Sequence, residues 1–125
     1  MEQGLGKKLK EWHESKSVSL ASEICETLYN VIAWGREKGL DDPKAQLNKV
    51  MEEVGEIAHE ITRNKLDTPE LEDAIGDTLV KVIILSDILG IDPMSALDEA
   101  YGVIKNRKGK TENGTFVREN AEGEE

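Results

Sequence analysis

The residues with the most evident chemical use are carboxylates on two neighbouring stretches. Glu52-Glu53-Val54-Gly55-Glu56 is followed one turn later by Glu60. On a helix, at about 100° per residue, Glu53, Glu56 and Glu60 fall within roughly 60° of one another. Like charges at that spacing repel by a few tenths of a kcal/mol unless a positive group sits between them. The close lysine on that face, Lys49, lies a turn away. Further on, Asp73 and Asp77 are four apart, and Asp77 leads into an apolar run. Aspartate is a poor helix-interior residue, and an ionised carboxylate entering a buried segment needs a partner. Lys81, four residues on, would make an ordinary ion pair; a divalent cation shared with the glutamates would make a catalytic centre. Hard oxygen donors and few histidines suit Mg²⁺, or Mn²⁺ in its place. A plain solvated acidic face also accounts for the glutamates, and the residues alone leave these readings open.

A second cluster has the opposite sign. Lys105-Asn106-Arg107-Lys108-Gly109-Lys110 gathers four of the chain's 16 basic residues within six positions. A basic helix C-terminus is favoured by the helix dipole, which accounts for one or two of them. Four in an acidic chain suit a phosphate clamp, with Gly109 and Gly114 letting a loop fold over a ligand. Trp34 and Tyr29 lie off the apolar stripe of their helix, where they can stack on a base or pack against a neighbouring helix.

Helices must position these groups. Asp42-Pro43, Thr68-Pro69 and Asp92-Pro93 each pair an N-cap residue with proline at the first helical position, where the missing N–H costs nothing. Gly39, Gly90 and Gly109 supply stops. The expected helices run near 18–38, 43–65, 69–89 and 93–108. No strand-like alternation is evident outside them. Leu47, Val50, Met51, Val54, Ile57, Ala58 and Ile61 give one helix a clean apolar stripe. From Leu79 to Leu89 almost no polar face remains, and a helix apolar all round must be covered all round. The expected fold is therefore all-α: a compact four-helix bundle, five-membered if the N-terminal extension is helical. Its surplus apolar surface calls for a homodimer or homotetramer. Residues 1–17 read as that extension, 18–109 as the helical domain, and 110–125 as a polar, partly mobile tail.

The totals narrow the function. A chain of 125 residues with 38% hydrophobic and 34% charged content makes one domain with solvated ends. The net charge of −10 opposes nucleic-acid binding, which depends on lysines and arginines neutralising phosphates. A small phosphorylated ligand could bind so acidic a body only with metal ions intervening. No membrane-spanning run or signal-peptide core is present, and the single cysteine, Cys25, has no internal partner, so a soluble cytoplasmic protein is expected.

Taken together, these motifs resemble the MazG-like nucleoside triphosphate pyrophosphohydrolases. Glu52-Glu53-Val54-Gly55-Glu56 looks like the first acidic motif of that family. Asp73-Ala74-Ile75-Gly76-Asp77-Thr78-Leu79-Val80 looks like the second. Trp34-Gly35-Arg36-Glu37-Lys38-Gly39-Leu40, Gln46-Leu47-Asn48-Lys49 and Arg107-Lys108-Gly109-Lys110 with Asn113-Gly114-Thr115-Phe116 are similar to small, phage-type members. The resemblance spans roughly residues 25–118. It implies Mg²⁺-dependent hydrolysis of a (deoxy)nucleoside triphosphate to monophosphate and pyrophosphate. Glu53, Glu56 and Asp77 would be catalytic metal ligands, with Glu52 and Asp73 as further ligands or supporting groups. Trp34, Lys49, Lys105, Arg107, Lys108 and Lys110 would contact the nucleotide. One departure stands out: Ala74 replaces the glutamate expected three residues before Asp77. The alternative is a non-catalytic helical oligomer that senses nucleotides or regulates a partner. A ferritin-like di-metal site would need two Glu-x-x-His steps, and only Glu56-Ile57-Ala58-His59 supplies one.

Overall fold

The computed structural model describes residues 4–16 and 18–119, which form two compact units meeting in sequence between Gly90 and Ile91. The first holds four helices: α1 (Gly4–Ser15), α2 (Val18–Glu37), α3 (Pro43–Thr62) and α4 (Pro69–Ile88). The second holds α5 (Pro93–Ile104) and a hairpin of β1 (Gly109–Glu112) and β2 (Thr115–Arg118).

The helix starts follow from their caps. Asp42 Oδ1 accepts from Lys44 N at 3.0 Å, and Thr68 Oγ1 accepts from Leu71 N at 3.1 Å. Asp92 Oδ1 accepts from Met94 N at 2.9 Å and Ser95 N at 3.2 Å. Each satisfies donors that the first helical turn cannot satisfy itself. Gly39 and Gly90 take positive φ, 71° and 70°, where a side chain would be strained.

In the first unit α4 packs against both α3 and α2, and α1 touches α2. Gly35 sits buried opposite Ile84, and a Cβ there would come within 3.2 Å of that side chain. The missing side chain is what lets α2 and α4 approach. Cover of α4 is incomplete, however. Ala74 and Ile84 are buried, whereas Ile75, Leu79 and Val82, spaced four and three apart, are 47%, 59% and 41% exposed. A parallel stripe on α3, Leu47, Met51, Val54 and Ile61, is also exposed.

The second unit departs from expectation. The helix expected to reach residue 108 ends at Ile104, with Lys105 as its cap. Its last turn contains no basic residue, so the basic cluster begins only at the cap, with Lys105, and runs on beyond the helix. Gly109, expected as a helix stop, instead begins a strand, and the start of the expected polar tail is an antiparallel hairpin. Asn113 and Gly114, at φ 51° and 78°, form the tight turn that Asn-Gly favours between strands. The register pairs Gly109 with Arg118 and Glu112 with Thr115. A Cβ on Gly109 would collide with the Val117 carbonyl and the Phe116 ring. Only glycine fits there.

Candidate active site

Three helices of the first unit line an open cavity of about 590 Å³, within the roughly 300–1,000 Å³ usual for small-molecule sites. From α2 come Thr27, Asn30, Val31 and Trp34, at spacings that place them on one helical face. From α3 come Gln46 and Lys49, and from α4 Asp77, Val80, Lys81 and Ile84; Leu40 completes the lining. The walls are apolar with a few polar groups. An aromatic ring, two amides, two lysines and one carboxylate face the same space.

The polar groups are held in place across helices. Gln46, only 6% exposed, donates its Nε2–H to the Lys81 carbonyl at 3.2 Å. Lys81 Nζ lies 3.6 Å from Glu53 Oε1, with both side chains largely shielded from solvent. This pairing corrects one of the readings above: Lys81 turns to the glutamate of the neighbouring helix and not to Asp77 on its own. Asp77 is half-buried, and its carboxylate has no hydrogen bond or ion pair among the described residues. Beside the cavity, Arg36 binds Asp87 bidentately at 2.9 and 2.7 Å, tying α2 to α4. That hydrogen bond holds the Asp87 carboxyl below its ordinary range and raises Arg36 further.

The expected site residues are thus distributed unevenly. Trp34, Lys49 and Asp77 line the cavity, and Glu53 reaches it through Lys81. Glu52 is exposed and pairs with Lys49 at 3.2 Å, while Glu56 and Asp73 are exposed. Among the described residues no three acidic, histidine or cysteine side chains gather closely enough to hold a metal ion. Tyr29 is 68% exposed and is not in the lining. Lys105, Arg107, Lys108 and Lys110 belong to the second unit, where Lys110 pairs with Glu112 at 3.2 Å. Sequence reasoning missed Gln46, Thr27 and Asn30. Gln46 was the most accessible of these, being a polar residue four positions before Val50 in the apolar stripe of α3.

A helical protein with a nucleotide-sized, lysine-bearing cavity beside an acidic helix pair has the form of a small-molecule phosphohydrolase. Residues 41–110, more than half of the chain, match the family described as the MazG nucleotide pyrophosphohydrolase domain, and the chain belongs to it. Enzymes of that family typically depend on a divalent metal. The match runs from the residue before the α3 cap into β1, so it takes in Glu53, Asp77, Lys81 and the basic cluster. The chain is also 31% identical over 74 residues to an uncharacterised 18.2 kDa protein of the rep-hol intergenic region of Haemophilus phage HP1. That similarity covers 57% of this chain and 44% of the phage protein, so the chain matches less than half of that relative's length. No solved structure matches. Among the described residues, no helix is long and apolar enough to cross a membrane.

Proposed function

We propose that this chain hydrolyses a (deoxy)nucleoside triphosphate to the monophosphate and pyrophosphate in the α2–α3–α4 cavity, with Mg²⁺ as the natural ion and Mn²⁺ as a substitute. The observation that carries the reading is the lining itself. It sets Trp34, Lys49, Lys81 and Asp77 around one space within a chain of the pyrophosphohydrolase family. The base has an aromatic partner in Trp34 and hydrogen-bonding edges in Asn30 and Thr27. Lys49 and Lys81 attract the phosphates, and Val80 and Ile84 add apolar wall to the same cavity, which strengthens charge interactions.

The donor chemistry fits a magnesium ion arriving on the nucleotide. Mg²⁺ needs only one or two carboxylates when water and phosphate oxygens fill its remaining positions. Asp77 would hold it, with Glu53 and Glu56 as the other acids within the two helices. When bound, such an ion neutralises the phosphates and makes water a better nucleophile. The chain's own residues fix where the reaction occurs. Asp77 places a negative oxygen at the phosphate end, and the lysines offset charge that builds on the departing pyrophosphate. In the net reaction water adds to phosphorus as the anhydride P–O bond breaks.

The exposed stripes on α3 and α4 support assembly into a homodimer or homotetramer, because single exposed leucines are ordinary but aligned rows are not. One observation favours a second reading. Ala74 is buried, leaving one acid fewer near Asp77, as in a nucleotide sensor or regulatory partner without turnover. Pyrophosphate release from a panel of nucleoside and deoxynucleoside triphosphates, with and without Mg²⁺, separates the two. Release from at least one of them, dependent on metal, is expected. Tight binding with no release would establish the sensor.

A further inference from the structure

We propose that Lys81 is a built-in cation of the cavity that holds a phosphate group of the nucleotide, doing the neutralising work of one divalent ion. The inference rests on the nucleotide reading above and concerns how its phosphates are held.

Four observations carry it. First, two of the three charged side chains lining the cavity, Lys49 and Lys81, are lysines, and the acids they pair with, Glu52 and Glu53, are not in its lining. Second, acids are scarce there. One turn before Asp77 the side chain at 74 is a methyl group, 4% exposed, and no three acidic groups gather among the described residues. Third, Lys81 is only loosely engaged. Its ammonium stands 3.6 Å from Glu53 Oε1, beyond ordinary hydrogen-bond length, and makes no hydrogen bond among the described residues. Its three N–H donors remain open to a closer partner. Fourth, its backbone is fixed, because Gln46 binds the Lys81 carbonyl from the facing helix.

A phosphate oxygen bearing full negative charge meets these requirements, and lysine is suited to phosphate as a point charge. Glu53 then acts as a holding partner that keeps the Lys81 side chain in place until the nucleotide enters. Nucleotide should bind measurably without divalent metal, and the loaded site should need a single ion.

The test is titration calorimetry of the non-hydrolysable analogues α,β-imido-dATP and α,β-imido-dUTP into the full chain, in EDTA and in Mg²⁺. In EDTA the wild type should bind, Lys81→Met should bind at least ~10-fold more weakly, and Lys81→Arg should recover most of the loss. Glu53→Gln should do the reverse and tighten metal-free binding, because it removes the competitor for Lys81. That variant keeps the test decisive even if Lys81→Met fails to fold. Spin counting of Mn²⁺ with bound analogue should give about one ion per site. Unchanged binding by a folded Lys81→Met, no effect or a loss with Glu53→Gln, or wild-type binding only with metal would overturn the proposal. Pyrophosphate release by the wild type in Mg²⁺ is measured alongside. If it is present in those cases, only the role of Lys81 falls; if no nucleotide is bound or hydrolysed, the nucleotide reading falls with it.

Discussion

Replacing Asp77 by asparagine keeps the shape of the side chain and removes its charge, so it separates a chemical role from a structural one. The structure makes the expected stability change small. Asp77 is half-buried, has no hydrogen bond or ion pair among the described residues, and leaves Lys81 to Glu53. Substitutions that break no specific partnership usually lie within about 0.5 kcal/mol. Catalysis should respond far more. If Asp77 supplies the negative oxygen at the phosphate end, its loss should lower kcat/KM by at least ~100-fold, about 2.7 kcal/mol of transition-state stabilisation. The assay pairs pyrophosphate release at several Mg²⁺ concentrations with a urea midpoint measured without metal. The apparent Mg²⁺ requirement should rise in the variant. A variant that is more than ~1 kcal/mol less stable yet fully active per folded molecule would refute the assignment of Asp77, because it would show a structural carboxylate.

Further expectations follow from particular contacts. At 3.6 Å the Glu53–Lys81 attraction is worth roughly 4–5 kcal/mol at an effective dielectric constant near 20, and desolvation should leave about 1 kcal/mol net. A double-mutant cycle of Glu53→Gln and Lys81→Met by metal-free denaturation should recover that coupling, and a value of zero would place the two side chains apart in solution. Arg36 holds Asp87 below the ordinary carboxyl value of 3.8, so their contribution to stability should be complete above about pH 5. It should fade as pH falls through the lowered value, so that wild type and Asp87→Asn converge in acid denaturation; a gap that persists at low pH contradicts the pairing. Leu79→Glu, at a position 59% exposed in the single chain, should leave the helices intact by circular dichroism while dissociating the assembly in light scattering. A wild type already monomeric at micromolar concentration would remove that expectation. Gly109→Ala should abolish hydrogen-exchange protection across the β1–β2 ladder and spare the helices, because its new methyl meets the Val117 carbonyl.

What the sequence revealed was local chemistry, and what it concealed was pairing between distant segments. The starts of α3, α4 and α5 were legible because Asp42, Thr68 and Asp92 each precede a proline, a signal complete within two residues. The hairpin went unread although Asn113-Gly114 announced its turn. Its strands are four residues long and almost wholly exposed, so no core imposed an alternating pattern on them. Helix α5 ends at Ile104, and Lys105 to Lys108 connect it to the ladder, which begins at Gly109. Of the residues expected at the site, Trp34, Lys49 and Asp77 line the cavity. Gln46 was not legible, because its use depends on the Lys81 carbonyl of another helix. Lys81 was read against its nearest sequence neighbour, four residues away, whereas its partner lies across the α3–α4 contact.

The cross-helix ties explain why the acids of the two motifs are treated so differently. Gln46–Lys81, Glu53–Lys81, Gly35–Ile84 and Arg36–Asp87 all grip α4 between residues 81 and 87. Asp77 stands just before this clamped segment, within the cavity it shapes. Asp73 lies a turn beyond, on a half of α4 where Ile75 and Leu79 are exposed. Packing therefore half-shelters Asp77 and Glu53 and leaves Glu52, Glu56 and Asp73 to solvent. For a site that receives a phosphate-bound ion this division has a physical logic. A buried cluster of unpaired carboxylates would be costly in the empty protein, whereas one half-buried acid beside a lysine-held glutamate is not. Charge balance at the empty site comes from Lys81, and a second redistribution of charge is needed only when the nucleotide enters. On this view Ala74 and Lys81 are two parts of one solution: the methyl fills space on α4, and the ammonium supplies the positive charge that the nucleotide's phosphates require.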